Sequence, residues 1–79
     1  MTDMHDSLRT FIASELLMDP ERTLADDEDL LLTGLVDSLG VMRLIYFLEE
    51  STGRKIPFTD ITIENFNNIG AICAYLERD

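Results

Sequence analysis

Thr33-Gly34-Leu35-Val36-Asp37-Ser38-Leu39-Gly40 is the stretch on which the rest of the chain turns. A glycine, a short apolar pair and an acid–hydroxyl pair lead straight into an apolar-rich run, 41–48. Asp37 or Ser38 can accept hydrogen bonds from the N–H groups that a first helical turn leaves over, so a helix is predicted to start here. A serine in that place is exposed at the positive end of the helix dipole, where a phosphate ester is well tolerated. Taken alone, Asp-Ser ahead of a helix is a cap, and its meaning depends on its surroundings.

Downstream, the predicted helix covers 38–51. Val41, Leu44, Ile45 and Leu48 define its core face, and Leu39, Met42 and Tyr46 form a neighbouring stripe. The helix is thus apolar over more than half its circumference. On the residues alone, either it is wholly buried or part of its face meets another protein. Gly53 is the expected C-cap residue. Arg54-Lys55-Ile56-Pro57-Phe58 reads as an extended link with Ile56 and Phe58 inward. Residues 60–66 offer a short helical turn. The β-branched Ile61-Thr62-Ile63 run favours a strand by propensity, but no other strand is available to pair with it. Asn67 or Asn68 caps a last helix with Ile69, Ile72, Cys73 and Leu76 inside and Tyr75 beside them. Cys73 reads as a small buried hydrophobe, since no nucleophile constellation accompanies it.

Upstream, 19–37 is a long connection, acidic at Asp26-Asp27-Glu28-Asp29 and then apolar. A loop of this length in a small domain is often functional. Leu30, Leu32 and Leu35 are expected to pin it to the core. The acidic run lacks the glycine and distal glutamate of an EF-hand and reads as a solvated loop. Before it, Met4, Leu8, Phe11, Ile12 and Leu16 fall at helical spacing, predicting a helix over 3–17, capped by Asp3 and stopped ahead of Pro20. His5 is expected to be exposed and without a role. The outcome is an all-α domain over 1–79, three longer helices and one short one, with a long loop between the first two.

With 79 residues the chain builds one small domain, and 46% hydrophobic residues are too many for a disordered tail. Sixteen acids against six bases give a net charge of −10, which disfavours nucleic acid and anionic membrane and favours a partner with a basic patch. One cysteine cannot form an internal disulfide, and one histidine cannot build a metal cluster with it. The acidic opening Met1-Thr2-Asp3-Met4-His5-Asp6 lacks the basic and apolar regions of a signal peptide, and no apolar run reaches membrane-spanning length. A cytoplasmic location is expected.

In register, these features resemble the phosphopantetheine-dependent carriers, the acyl carrier and peptidyl carrier family. The resemblance covers nearly all of the chain. It rests on Asp29-Leu30, on Gly34-Leu35-Val36-Asp37-Ser38-Leu39, on the apolar helix ending Leu48-Glu49-Glu50, on Ile56-Pro57, and on Glu64-Asn65-Phe66 with Ile69 and Ile72. It implies a four-helix bundle in which Ser38 carries 4′-phosphopantetheine through a phosphodiester. The thiol of the arm would hold an acyl or aminoacyl group as a thioester for delivery to partner enzymes. Asp37 would assist the modifying phosphopantetheinyl transferase near its magnesium. Leu39, Met42 and Tyr46 would be the stripe that partners grip, which decides the open question of the second helix in favour of a partly exposed face. An activating ligase and downstream acyl-using enzymes are the further partners implied, and a monomer is expected.

Two departures stand out. Carriers of fatty-acid synthesis are richly acidic after the serine, whereas here Gly40 and Arg43 occupy that stretch. Arg43 on the docking face would repel a basic patch. Gly40 sacrifices up to about 1 kcal/mol of helix stability against alanine and would let a partner or the arm approach closely. Gly-Leu-Val-Asp-Ser-Leu-Gly and Ile-Thr-Ile-Glu-Asn-Phe are similar to stand-alone aminoacyl carriers, the D-alanyl type among them, which suggests a discrete carrier of an amino acid or short acyl group in a specialised pathway. A long acyl chain would need a cavity between helices. Two other readings compete: an unmodified interaction subunit, which has no need of Asp37-Ser38-Leu39, and an enzyme, for which no base is paired with Ser38.

Overall fold

Among the described residues, 4–78, the computed structural model contains four helices and no strand. The first helix, α1, spans Met4–Phe11 and continues as a π-helical stretch, Ile12–Leu16. The helix expected over 3–17 is present but changes pitch at Ile12, and its expected cap, Asp3, lies outside the described residues. The π stretch begins at two adjacent buried residues, Ile12 and Ala13. Its hydrogen bonds are correspondingly long in sequence, Leu17 N–H to the Ile12 carbonyl at 2.9 Å and Asp19 N–H to that of Ala13 at 2.8 Å. The run ends at Met18, whose left-handed φ of 57° turns the chain ahead of Pro20.

The long loop that follows is anchored at both sides. Leu24, Leu30 and Val36 are buried in the core. Leu32, expected to pin the loop, instead points into solvent at 64% exposure. Its backbone explains this, because the N–H groups of Leu31 and Leu32 both turn toward Asn67 Oδ1, at 3.0 and 3.2 Å. The acidic run is tied down rather than simply solvated. Asp26 bonds to Arg9 and lies 3.7 Å from His5, Glu28 pairs with Arg22 at 2.6 Å, and Asp29 accepts from Asn67 Nδ2 at 2.7 Å. His5, expected to be exposed, is thus half-buried against this loop.

Helix α2, Ser38–Thr52, buries Leu44, Ile45 and Leu48, and Gly53 closes it at φ 72°. Glu49 Oε2 then accepts from Ile56 N–H at 2.8 Å, fixing the chain as it leaves the helix. Ile56 is buried as expected, but Phe58 is 82% exposed. Alternation along an extended link fails here because the chain enters a 3₁₀ turn at Phe58–Asp60. Thr62 caps the short α3, Ile63–Phe66, and Asn68 caps α4, Ile69–Glu77, through Ala71 N–H at 2.7 Å. Phe66, Ile69 and Ile72 are fully buried and Cys73 nearly so. Helix α1 packs against α4, and the π stretch against α2. Among the described residues no helix is long and apolar enough to cross a membrane.

Tyr75 ties α4 to the 3₁₀ turn by donating to Asp60 Oδ2 at 2.6 Å, with its ring against Phe66. That hydrogen bond, helped by desolvation, raises the phenol above its ordinary value. The folded state therefore keeps the proton to higher pH than the unfolded chain. Stability from the contact is complete below the unfolded phenol's range, about pH 10, and is lost as pH rises through the folded value. Urea unfolding across the alkaline range should show the parent losing stability more steeply than Tyr75→Phe, and equal slopes would contradict this role.

Candidate functional site

The site forms where the long loop meets α2. Thr33 Oγ1 donates to the Asp29 carbonyl at 2.9 Å, Gly34 N–H to that of Leu31 at 3.1 Å, and Val36 N–H to that of Leu30 at 2.9 Å. Gly34 takes φ 77°, a conformation that a side chain would strain. Residues 29–36 thus fold back on themselves and deliver Asp37 in extended conformation as the N-cap of α2. Asp37 Oδ1 accepts from Gly40 N–H at 2.8 Å, and its carbonyl accepts from Val41 N–H at 2.8 Å.

Ser38 is the first residue of α2 and is exposed. The N–H groups of Ser38 and Leu39 precede the first intrahelical bond and are not used by the helix itself. No acid occupies the first turn of α2, so only the Asp37 cap offsets the positive end of its dipole. A phosphodiester on Ser38 Oγ fits this environment, with two backbone donors beside it and open solvent around it.

Gly40 has a different reason from the one its sequence context suggests. It is buried, and a Cβ there would stand 2.9 Å from Val36 Cγ1 and 3.3 Å from Asp37 Oδ1. The space is taken by the chain's own loop, not left for a partner or an arm. A glycine inside a helical pattern was the available signal of close approach, but sequence alone does not say what approaches.

The predicted partner stripe is exposed: Leu39 at 71%, Met42 at 54% and Tyr46 at 66%. Arg43 is exposed as well, but it reaches across to the π stretch, where Nη1 donates to the Glu15 carbonyl at 3.2 Å and Nη2 lies 3.8 Å from the Glu15 carboxylate. That tie was not foreseen, because nothing in a linear sequence brings residue 15 to residue 43. Beside the serine, Leu16, Gly34, Leu35, Val36, Asp37 and Gly40 line a cavity of about 90 Å³. It is smaller than the ~150 Å³ that encloses one benzene.

A family model described as phosphopantetheine attachment site matches residues 6–76. The chain belongs to this family. A comparison with curated proteins gives no match. Members of the family are carriers, not enzymes; they bear 4′-phosphopantetheine covalently on a serine and work with a phosphopantetheinyl transferase and acyl-using enzymes. This protein is accordingly a carrier for a phosphopantetheine arm.

The Val36–Gly40 contact makes a prediction with a sign opposite to helix propensity. Alanine at an unconstrained helical position gains up to about 1 kcal/mol over glycine. Against buried, rotamer-stiff Val36, Gly40→Ala should instead destabilise by about 1 kcal/mol in urea unfolding. In a Val36→Ala background the same change should become neutral or stabilising. A gain in the parent of the full propensity value would refute the contact.

Proposed function

We propose that the protein is a discrete carrier that bears its arm on Ser38 and holds an amino acid or short acyl group as a thioester for delivery to partner enzymes. The observation that carries this reading is the placement of Ser38, exposed on the first turn of α2 beside N–H groups that the helix does not use. When attached, the arm supplies the terminal thiol on which a carboxylic acid is carried. The protein's own share is binding and presentation. Ser38 Oγ is the attachment atom, and the Ser38 and Leu39 N–H groups face the phosphodiester's charge. Asp37 keeps one carboxylate oxygen on the cap and leaves the other for the transferase and its magnesium.

Leu39, Met42 and Tyr46 are the face that the transferase, an activating ligase and downstream enzymes would grip, their exposure supporting that role. Arg43 flanks this face, its charge directed partly at Glu15, which softens the repulsion it would offer a basic partner. The cavity beside Ser38, about 90 Å³, does not enclose a long chain. A monomer acting in the cytoplasm in a specialised biosynthetic pathway completes the reading.

Incubation with coenzyme A, magnesium and a broad-specificity phosphopantetheinyl transferase tests it. Intact mass should rise by one phosphopantetheine in the parent and stay unchanged in Ser38→Ala. No gain in folded parent, or an equal gain in the variant, would refute attachment at Ser38.

A further inference from the structure

Two places could shelter a cargo near Ser38. The first is the cavity of about 90 Å³ already described, whose walls are the loop, the start of α2 and Leu16 of the π stretch. The second is an open groove of about 430 Å³ between α1 and α2, lined by Phe11, Met42, Arg43, Tyr46, Phe47 and Glu50. Its floor is aromatic: Phe11 and Phe47 stack with ring centroids 4.2 Å apart and 12° between planes. Its walls include Met42 and Tyr46, which are more exposed than apolar side chains of a filled core.

The groove begins about one helical turn beyond Ser38, at Met42. Met42, Tyr46 and Glu50 follow Ser38 at four-residue intervals, so they stand about 6, 12 and 18 Å along the helix axis, each turned about 40° further around it. Tyr46 and Phe47, in the third turn of α2, are the apolar surface that a cargo carried back along the helix would meet. The charges select among cargoes. Glu50 lines the groove, and Glu15 stands at its edge with Arg43 already directed at it. Two carboxylates against one guanidinium leave the rim net negative, which attracts an ammonium and repels a carboxylate.

Resting on attachment at Ser38, we infer that the groove between α1 and α2 is the cargo-resting site and that it takes an aminoacyl group with an apolar or aromatic side chain. The side chain lies on Phe47 and Tyr46 beside Met42, and the α-ammonium faces Glu50. The cargo rests on the surface of the bundle, not within its core. Because Met42 and Tyr46 also belong to the proposed partner face, a docking enzyme displaces the cargo from the groove as it binds.

The test uses the protein carrying pantetheine arms on Ser38 that end in a stable amide of phenylalanine, 3-phenylpropionic acid or succinic acid, beside the bare arm. Intact mass first verifies each attachment. The readout is the Met42 methyl resonance and its cross-relaxation with the cargo ring. Expected are a methyl shift and ring contacts with the phenylalanyl arm, a smaller shift with the phenylpropionyl arm, and none with the succinyl arm. Tyr46→Ala, folded by its amide spectrum, should abolish the shift, and Glu50→Gln should reduce the phenylalanyl response to that of the phenylpropionyl arm. Verified attachment with an unmoved groove, or with shifts at Leu44 and Leu48 instead, overturns the groove alone. A succinyl response equal to the phenylalanyl one overturns the aminoacyl assignment. Failure of every arm to attach overturns the Ser38 reading and this one with it.

Discussion

The loop that leads into α2 depends on one asparagine. The Asn67 carbonyl accepts from Leu30 N–H at 2.7 Å, its side-chain oxygen accepts from Leu31 and Leu32 N–H, and its side-chain nitrogen donates to Asp29. A single residue between α3 and α4 thereby satisfies a run of three backbone donors in a loop that has no secondary structure of its own. Nearby, Gly70 N–H donates to the Asp26 carbonyl at 2.9 Å and extends the seam. A chain of this size has little core with which to order a loop between its first two helices. The seam supplies the directional constraint that apolar burial of Leu24 and Leu30 cannot.

From that clasp the geometry propagates to the serine. With Leu30 fixed, its carbonyl receives Val36 N–H, and Val36 packs onto the one residue of α2 with no side chain, Gly40. The close approach sets where α2 begins, and so where Asp37 caps and where Ser38 emerges. On the other side, Arg43 fastens α2 to the π stretch of the first helix. The serine is therefore exposed on a framework held from two directions. That would suit the attachment proposed at Ser38, which needs a point that is accessible yet keeps a defined orientation toward successive partners.

Much of this was legible in the sequence because it depends on local rules. Asp37 as cap, Gly53 as C-cap and the inward faces of α2 and α4 follow from residue type and a 3.6-residue period. Asn68 as the cap of α4 is equally local, whereas its neighbour Asn67 contacts residues 29–32, about half the chain away, and no periodicity reports that. Leu32 and Phe58 were misplaced for one reason: hydrophobicity predicts burial only where the backbone allows it. Leu32 is turned outward by the clasp and Phe58 by the 3₁₀ turn. A glycine at position 40 signals a close approach, but only the fold shows that what approaches is the chain's own Val36 and not a partner. The groove was not legible, since it arises where Phe11 of α1 stacks on Phe47 of α2.

The most direct test of this account is native-state hydrogen exchange at the amides of Leu30, Leu31 and Leu32. If the Asn67 clasp organises the site, these loop amides exchange as slowly as those of α4, and Asn67→Ala releases them, together with Val36 N–H, while Leu44 and Leu48 in α2 stay protected. Exchange of the three amides at the unprotected rate in the parent protein, with α2 and α4 still protected, would contradict it.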